Sequence, residues 1–465
     1  MTAVLLISND VIGEKMAGPG IRSWEFAKAL SGNFQVTLAV PNRDHPAGDG
    51  FVVSSYAQDE GRLRELASAA GVIVFQGFIL HSFPFLAELN VPLVVDVYDP
   101  FVLENMPIHA HEAMLERERI HGSDLAVLNS QLWAGDFFLC ASEKQRDFWL
   151  GMLLALNRVN PYTYDDDETL RRLIDVVPFG LPSSPPEHTR QVLKPPPSSP
   201  PIWEGKRGGI GQDDKVVLWG GGIWDWFDPC TLIRAMANIV AHRHDVKLFF
   251  MGIRHPNPLI PRMRATGQAI QLSQDLGLYD EFVFFNDWVP YEERQNYLLE
   301  ADVGVSLHLD HLETRFSFRT RLLDYLWAGL PIVTTRGDAM SELVEQHHLG
   351  KVVDYEDVGQ VAEALLELLD TPNLREVYRP GFEEVRGQFT WERAVEPLAR
   401  FCAYPRLAPD KAAPLIRNWS PFPGQSVKPT PWWALPGRAW AILSRGGWDA
   451  LCREVKSYWR WRFGG

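Results

Sequence analysis

The chain has 465 residues, 46% hydrophobic and 22% charged, and a formal charge of −14. Its length exceeds what one hydrophobic core supports and suggests two domains. The composition excludes a disordered chain, and the acidic balance excludes a general nucleic-acid binder, which needs a basic face for phosphates. Four cysteines, Cys140, Cys230, Cys402 and Cys452, stand far apart with no CxxC pair. Neither a zinc site nor a disulfide framework is expected, and a reducing cytosol fits. The opening MTAVLLISND lacks the basic start and cleavage site of a secretory signal and reads as a buried first strand. No apolar run reaches the ~20 residues of a membrane-spanning helix.

Strand-length apolar runs alternate with helix-like segments: AVLLIS, FQVTLAV, GVIVFQG, PLVVDVY, DFFLCAS and DVVPFG. That alternation is the mark of parallel βαβ units, so residues 1–182 are predicted to form a doubly wound, Rossmann-like domain. The acidic DDDE run at Asp165 to Glu168 is read as a solvated helix start ahead of a helix at TLRRLI, not a metal site. Residues 183–214, rich in Pro, Ser and Gly, suit an extended linker. A second βαβ series follows over 215–400, with KVVLWGGG, DVKLFFMG, EFVFFND, ADVGVSLH, LPIVTT and KVVDY as strands. The fold class is therefore α/β, with two Rossmann-like doubly wound domains facing across a cleft.

The tail, 401–465, is dense in Trp, Arg and Pro. Between Trp448 and Phe463 aromatic bodies alternate with Arg453, Lys456, Arg460 and Arg462, the pairing an interfacial helix uses among lipid headgroups. Two readings stand: peripheral membrane contact through the tail, and packing of its aromatics onto the globular body.

The segment from His311 to Val344 carries the strongest signal. Thr320, Arg321, Leu322, Leu323, Asp324, Tyr325, Gly329 and Pro331 resemble the donor-site signature of the glycogen-synthase-like retaining glycosyltransferases, family 4 type, with the GT-B fold. The resemblance implies transfer of a sugar from a nucleotide-diphosphate sugar to a glycan or lipid-linked acceptor. Such transfer retains the anomeric configuration and needs neither cofactor nor metal. It also implies that Asp324 accepts from the ribose hydroxyls, since a carboxylate offers two acceptor oxygens to a diol. Arg321, one helical turn earlier, would reach the diphosphate. The family's first acid falls on Phe316, with Glu313 three residues upstream as its substitute or backbone N–H groups near Ser317 and Phe318 in its place. Arg315 and Arg319 add local positive charge, alternatively as solvated surface.

Other segments join this one by resemblance. The turn at Gly220, Gly221 and Gly222 feeds a helix near Asp228 and suits close approach to phosphate. The family's basic residues are absent from that loop, and Arg254 is the candidate to share the diphosphate with Arg321. The loop Asn286 to Val289, with Asp287 and Trp288, is expected to meet the base. Gly18 and Gly20 match the family's first glycine loop; Arg22 beyond them is a candidate for phosphate or acceptor. A dinucleotide site is disfavoured there, because FQVTLAV ends at Pro41 and Asn42, not at an acid. Asp99 stands nearest the family's cleft histidine and is read either as catalytic, with Glu313, or as a turn aspartate. Glu104, His109 and His111 are neighbouring candidates.

The expected activity is thus retaining sugar transfer in bacterial-type surface polysaccharide or glycolipid synthesis, in the cytoplasm or at the inner membrane face. The alternatives are a catalytically inactive donor-binding partner and a sugar-nucleotide epimerase of the same fold.

Overall fold

The computed structural model describes residues 1–413 except 58, 197–198, 201–208, 258–259 and 261, together with positions 443, 448, 451 and 452. Most of the Trp- and Arg-rich tail, including the stretch from Arg453 to Phe463, lies outside the described residues. Among those described, no helix is long and apolar enough to cross a membrane.

Two parallel sheets organise the chain. The first contains β1 (Ala3–Ile7), β2 (Gln35–Val40), β3 (Val52–Ser55), β4 (Val72–Gln76), β5 (Leu93–Asp96), β6 (Phe137–Cys140) and β7 (Ile174–Val176), in the order β3-β2-β1-β4-β5-β6-β7. The second contains β8 (Lys215–Trp219), β9 (Val246–Phe250), β10 (Val283–Phe285), β11 (Val303–Ser306), β12 (Ile332–Thr335) and β13 (Gly350–Val353), in the order β10-β9-β8-β11-β12-β13. Strands covered by helices on both faces read as unbroken apolar runs, and β4, β5, β9, β11 and β12 are buried at every position. Twelve of these strands coincide with the apolar runs of the sequence. The exception is β3, a half-buried edge strand behind the Pro-, Gly- and Asp-rich stretch that follows β2.

Local signals set the helix ends. Asp228 caps the helix Pro229–Val240, accepting from Thr231 N–H at 3.0 Å, and Gly329, at φ +59°, ends the helix Thr320–Ala328. The helix expected from Thr169 is absent. Leu170 takes φ +56° and Asp167 accepts from the N–H groups of Thr169 and Arg172, so the chain turns there into β7. The preceding acid Asp166 pairs with Arg172 and Arg406.

The stretch joining the sheets is strapped to the second domain. Glu300 accepts from the backbone N–H groups of Val192, Leu193 and Lys194 at 2.7–2.9 Å. The C-terminal helices return to the first sheet: Trp391 packs on Phe26 and Phe179, Phe401 stacks on Phe137, and Arg158 pairs with buried Asp410 at 2.7 Å. One apolar cluster runs from Val4 and Leu38 through Phe179 and Trp391 to Leu218 and Leu326, joining the two sheets.

Candidate active site

In each sheet the chain reverses direction of build beside its first strand, between β1 and β4 and between β8 and β11. In open α/β sheets such switch points place a crevice at the carboxyl ends of the strands. Here the two crevices face one another and form a cleft of about 500 Å³. Its wall on the first domain includes Asp10, Gly18, Tyr98, Asp99 and Glu104; the second domain supplies Gly220, Gly221, Gly222, Trp288, Glu313 and the run Ser317 to Arg321 with Asp324.

The β8 turn is built for close approach. Gly221 takes φ +70°, and a side chain at Gly222 would lie 3.2 Å from the ring of Trp288. Among the described residues, the N–H groups of Gly221 and Gly222 have no protein acceptor. Arg321 sits behind this turn, stacked on Trp219 and Phe227. It donates from Nη2 to Gly222 O at 2.7 Å, while its buried Nη1 has no partner. Burial pushes its pKa down to about 9, the mark of a cation held without a counter-charge. A diphosphate at the glycine turn would supply that charge and the missing acceptor.

Glu313 and Arg319 form a two-point ion pair, with Arg319 Nε left without a hydrogen-bond partner among the described residues. Arg319 binds Glu313 with both terminal nitrogens, at 2.7 and 3.0 Å, and lies 3.6 Å from buried Asp338. Arg319 is thus no solvated surface charge, and the Glu313 carboxylate is already engaged. Arg315 is exposed. Phe316, at the position of the family's first acid, turns to the first domain. Its ring packs on Phe148 at 4.8 Å, and its carbonyl accepts from Gln145 at 2.8 Å. Ser317, Phe318 and Thr320 line the cleft beyond it.

Asp324 opens to the cleft with its side chain 38% exposed. Arg294 holds its Oδ1 at 3.0 Å, and among the described residues no protein donor meets Oδ2. That leaves acceptor capacity for a diol. Arg294 carries no role from the sequence alone, although it follows closely on the loop Asn286 to Val289.

Opposite, Asp99 and Glu104 carry no salt-bridge partner among the described residues. Desolvation first, then Asp96, raises the Asp99 carboxyl to about 7, with Arg22 opposing. Desolvation, then Asp99 and Glu313, holds Glu104 well above the usual carboxylate range. Both carboxyls therefore keep their protons to higher pH than ordinary carboxylates do.

Several expected residues lie elsewhere. Arg254 is 77% exposed, faces Asp287 at 3.8 Å, and is not in the cleft wall, because the β9 turn carries it outward while His255 points in. Asp287 serves through its backbone, accepting from Ile253 and Arg254 N–H at 3.0 Å. Gly20 lies under the Val11 carbonyl, where a Cβ would sit 2.8 Å away, and is a packing glycine. Arg22 is fully engaged by Asp96 at 2.5 and 3.1 Å and by the carbonyls of Val177 and Pro178. His109 lines the cleft; exposed His111 pairs with Glu112.

Residues 214–371 match the family model described as glycosyl transferases group 1. A D-inositol 3-phosphate glycosyltransferase of Acidothermus cellulolyticus is 26% identical over 191 residues, 41% of each chain, so the match spans under half of that relative. Among solved structures, sucrose-phosphate synthase of Thermosynechococcus elongatus superposes with a TM-score of 0.59 at 16% identity, covering 86% of this chain and 98% of that one. WaaG, a glycosyltransferase involved in lipopolysaccharide biosynthesis, gives 0.57 at 16% identity over 86% and 100% of the two chains. Anabaena HepE in complex with UDP-glucose gives 0.57 at 14% identity over 87% and 100%. This chain therefore has the two-domain GT-B fold of these glycosyltransferases, and over residues 214–371 it resembles the glycosyl transferases group 1 family.

Proposed function

We propose that this protein transfers a sugar, with retention, from a nucleoside-diphosphate sugar to a hydroxyl of a glycan or lipid-linked acceptor. The observation that carries the reading is the unpartnered Nη1 of buried Arg321 behind the Gly220–Gly222 turn, in one cleft with the open carboxylate of Asp324. One feature calls for an anion and the other for a diol, and a nucleoside diphosphate presents both at that spacing of one helical turn. The HepE structure, with UDP-glucose bound, lends support from a fold neighbour.

In this reading the bond from C1 of the sugar to the diphosphate breaks, and the acceptor oxygen bonds to C1 from the same face. The acceptor proton passes to the departing phosphate oxygen. Arg321 and the glycine N–H groups stabilise the charge that grows on the leaving group. Asp99 and Glu104 border the acceptor side, and one of them in its ionised form orients the incoming hydroxyl. The chemistry asks positioning of the protein and calls for no metal.

The test is incubation of the purified protein with UDP-, GDP-, ADP- and dTDP-glucose, with and without EDTA, following release of nucleotide and the anomeric signal of the product by NMR. Release that survives EDTA, gives an anomer matching the donor and disappears in Asp324→Ala supports the proposal. An inverted product, or release unchanged in Asp324→Ala, overturns it.

A further inference from the structure

A chain of polar contacts links Asp324 to the other domain. Glu25, on the first-domain helix Gly18–Ser31, accepts from the Tyr291 hydroxyl at 3.1 Å, and the Tyr291 N–H donates to Glu14 O at 2.9 Å. Arg294 donates to the Tyr291 carbonyl at 2.7 Å, lies over its ring at 3.7 Å, and reaches Asp324 Oδ1 at 3.0 Å. The Trp327 ring also lies against the guanidinium, at 4.7 Å. Glu25, Tyr291 and Arg294 are each 7% exposed, whereas the last member opens to the cleft.

Burying Glu25 and a phenol at a domain contact is costly compared with an apolar pair. Lys28, Glu292 and Arg294 are the charged groups around Glu25, and none makes a direct ion pair with it. What the arrangement gains is orientation. Arg294 fixes one oxygen of Asp324, and Tyr291, clamped by Glu25, fixes Arg294.

We infer that Tyr291 and Glu25 are positioning residues for Asp324, so that the nucleotide's ribose is gripped fully only while the first domain is docked on the second. This rests on the reading of Asp324 as the ribose carboxylate. A nucleoside diphosphate held on the second domain thereby favours the docked state, and the docked state favours its retention, as linkage requires.

The probe is whichever of UDP, GDP, dTDP and ADP raises the melting temperature most, with its Kd measured by calorimetry. Tyr291→Phe and Glu25→Ala each weaken binding by about fivefold, the equivalent of one buried hydrogen bond. Glu25→Gln, which keeps an acceptor oxygen, restores most of it. In an Asp324→Asn background the Glu25→Ala effect shrinks to less than twofold, and in turnover the donor KM rises while kcat holds. Should Glu25→Ala misfold, Tyr291→Phe, which removes one oxygen, carries the same comparison. Equal weakening by Glu25→Ala in both backgrounds, or wild-type affinity in Glu25→Ala and Tyr291→Phe beside weak Asp324→Asn, overturns the inference alone. Wild-type affinity in Asp324→Asn, or no shift with any nucleotide, overturns the donor-site reading and the inference with it.

Discussion

Two arginines stand behind the glycine turns of the two domains, and they do opposite things. Arg22 spends its guanidinium on Asp96 and two backbone carbonyls, so the first-domain turn is closed by protein contacts. Arg321 spends Nη2 on Gly222 O and leaves Nη1 buried and unpaired. A satisfied buried charge is a structural element, and an unsatisfied one beside a cleft is a site waiting for a ligand. On the proposed reading, the difference gives anion binding to the second domain and leaves the first to shape the acceptor side.

The same substitution at both positions should break this symmetry. Arg22→Met strands the Asp96 carboxylate in the interior and costs about 3–5 kcal/mol, read as a large loss in denaturant midpoint. The molecules that remain folded bind nucleotide as wild type does. Were Arg22→Met as stable as wild type but defective in nucleotide binding, the two arginines would have been assigned the wrong way round.

A smaller effect sharpens the acceptor side. The Asp99 carboxyl is raised from an ordinary 3.8 to about 7, so the folded state holds a proton that the unfolded state gives up. The stability this confers is fully present below about pH 3.8 and is lost as pH rises through about 7. Asp99→Asn mimics the protonated form. It should leave stability almost unchanged at pH 4 and raise it at pH 8 by roughly 2–4 kcal/mol, at ~1.4 kcal/mol per unit of the interval between the two pKa values. Equal stabilisation at both pH values would mean that Asp99 carries no such proton.

The smallest effect belongs to Arg254, whose exposed side chain faces Asp287 outside the cleft wall. Arg254→Ala should change nucleotide affinity by less than about twofold, as expected of a surface pair. A loss approaching that of an Arg321 variant would place it on the diphosphate after all.

The sequence discloses the architecture better than the site. Strands such as β4 and β9 are buried at every position because helices cover both faces and, Gln76 and Lys247 apart, are apolar, and such runs stand out against polar loops. Edge strand β3 is half exposed and loses that contrast. Within the site, Arg321 and Asp324 are legible because one short helix carries both, at a spacing that fixes their common face. Arg254, Arg22 and Phe316 show the limit. Whether a residue after a strand turns into the cleft, into the core or toward the other domain depends on loop path and on partners more than 70 residues away, as with Arg22 and Asp96. Glu25 and Tyr291 carry no local signal because their contact exists only once the two domains dock.

The most direct test of the account is calorimetric titration of wild type and Arg321→Met with the best-binding nucleoside diphosphate, alongside the unliganded denaturant midpoint of each. Arg321→Met should be as stable as wild type or more so, since a buried unpaired cation is replaced by an apolar chain of similar volume, and should bind nucleotide about 10- to 100-fold more weakly. Undiminished affinity in a stable Arg321→Met protein would contradict the claim that this arginine meets the diphosphate.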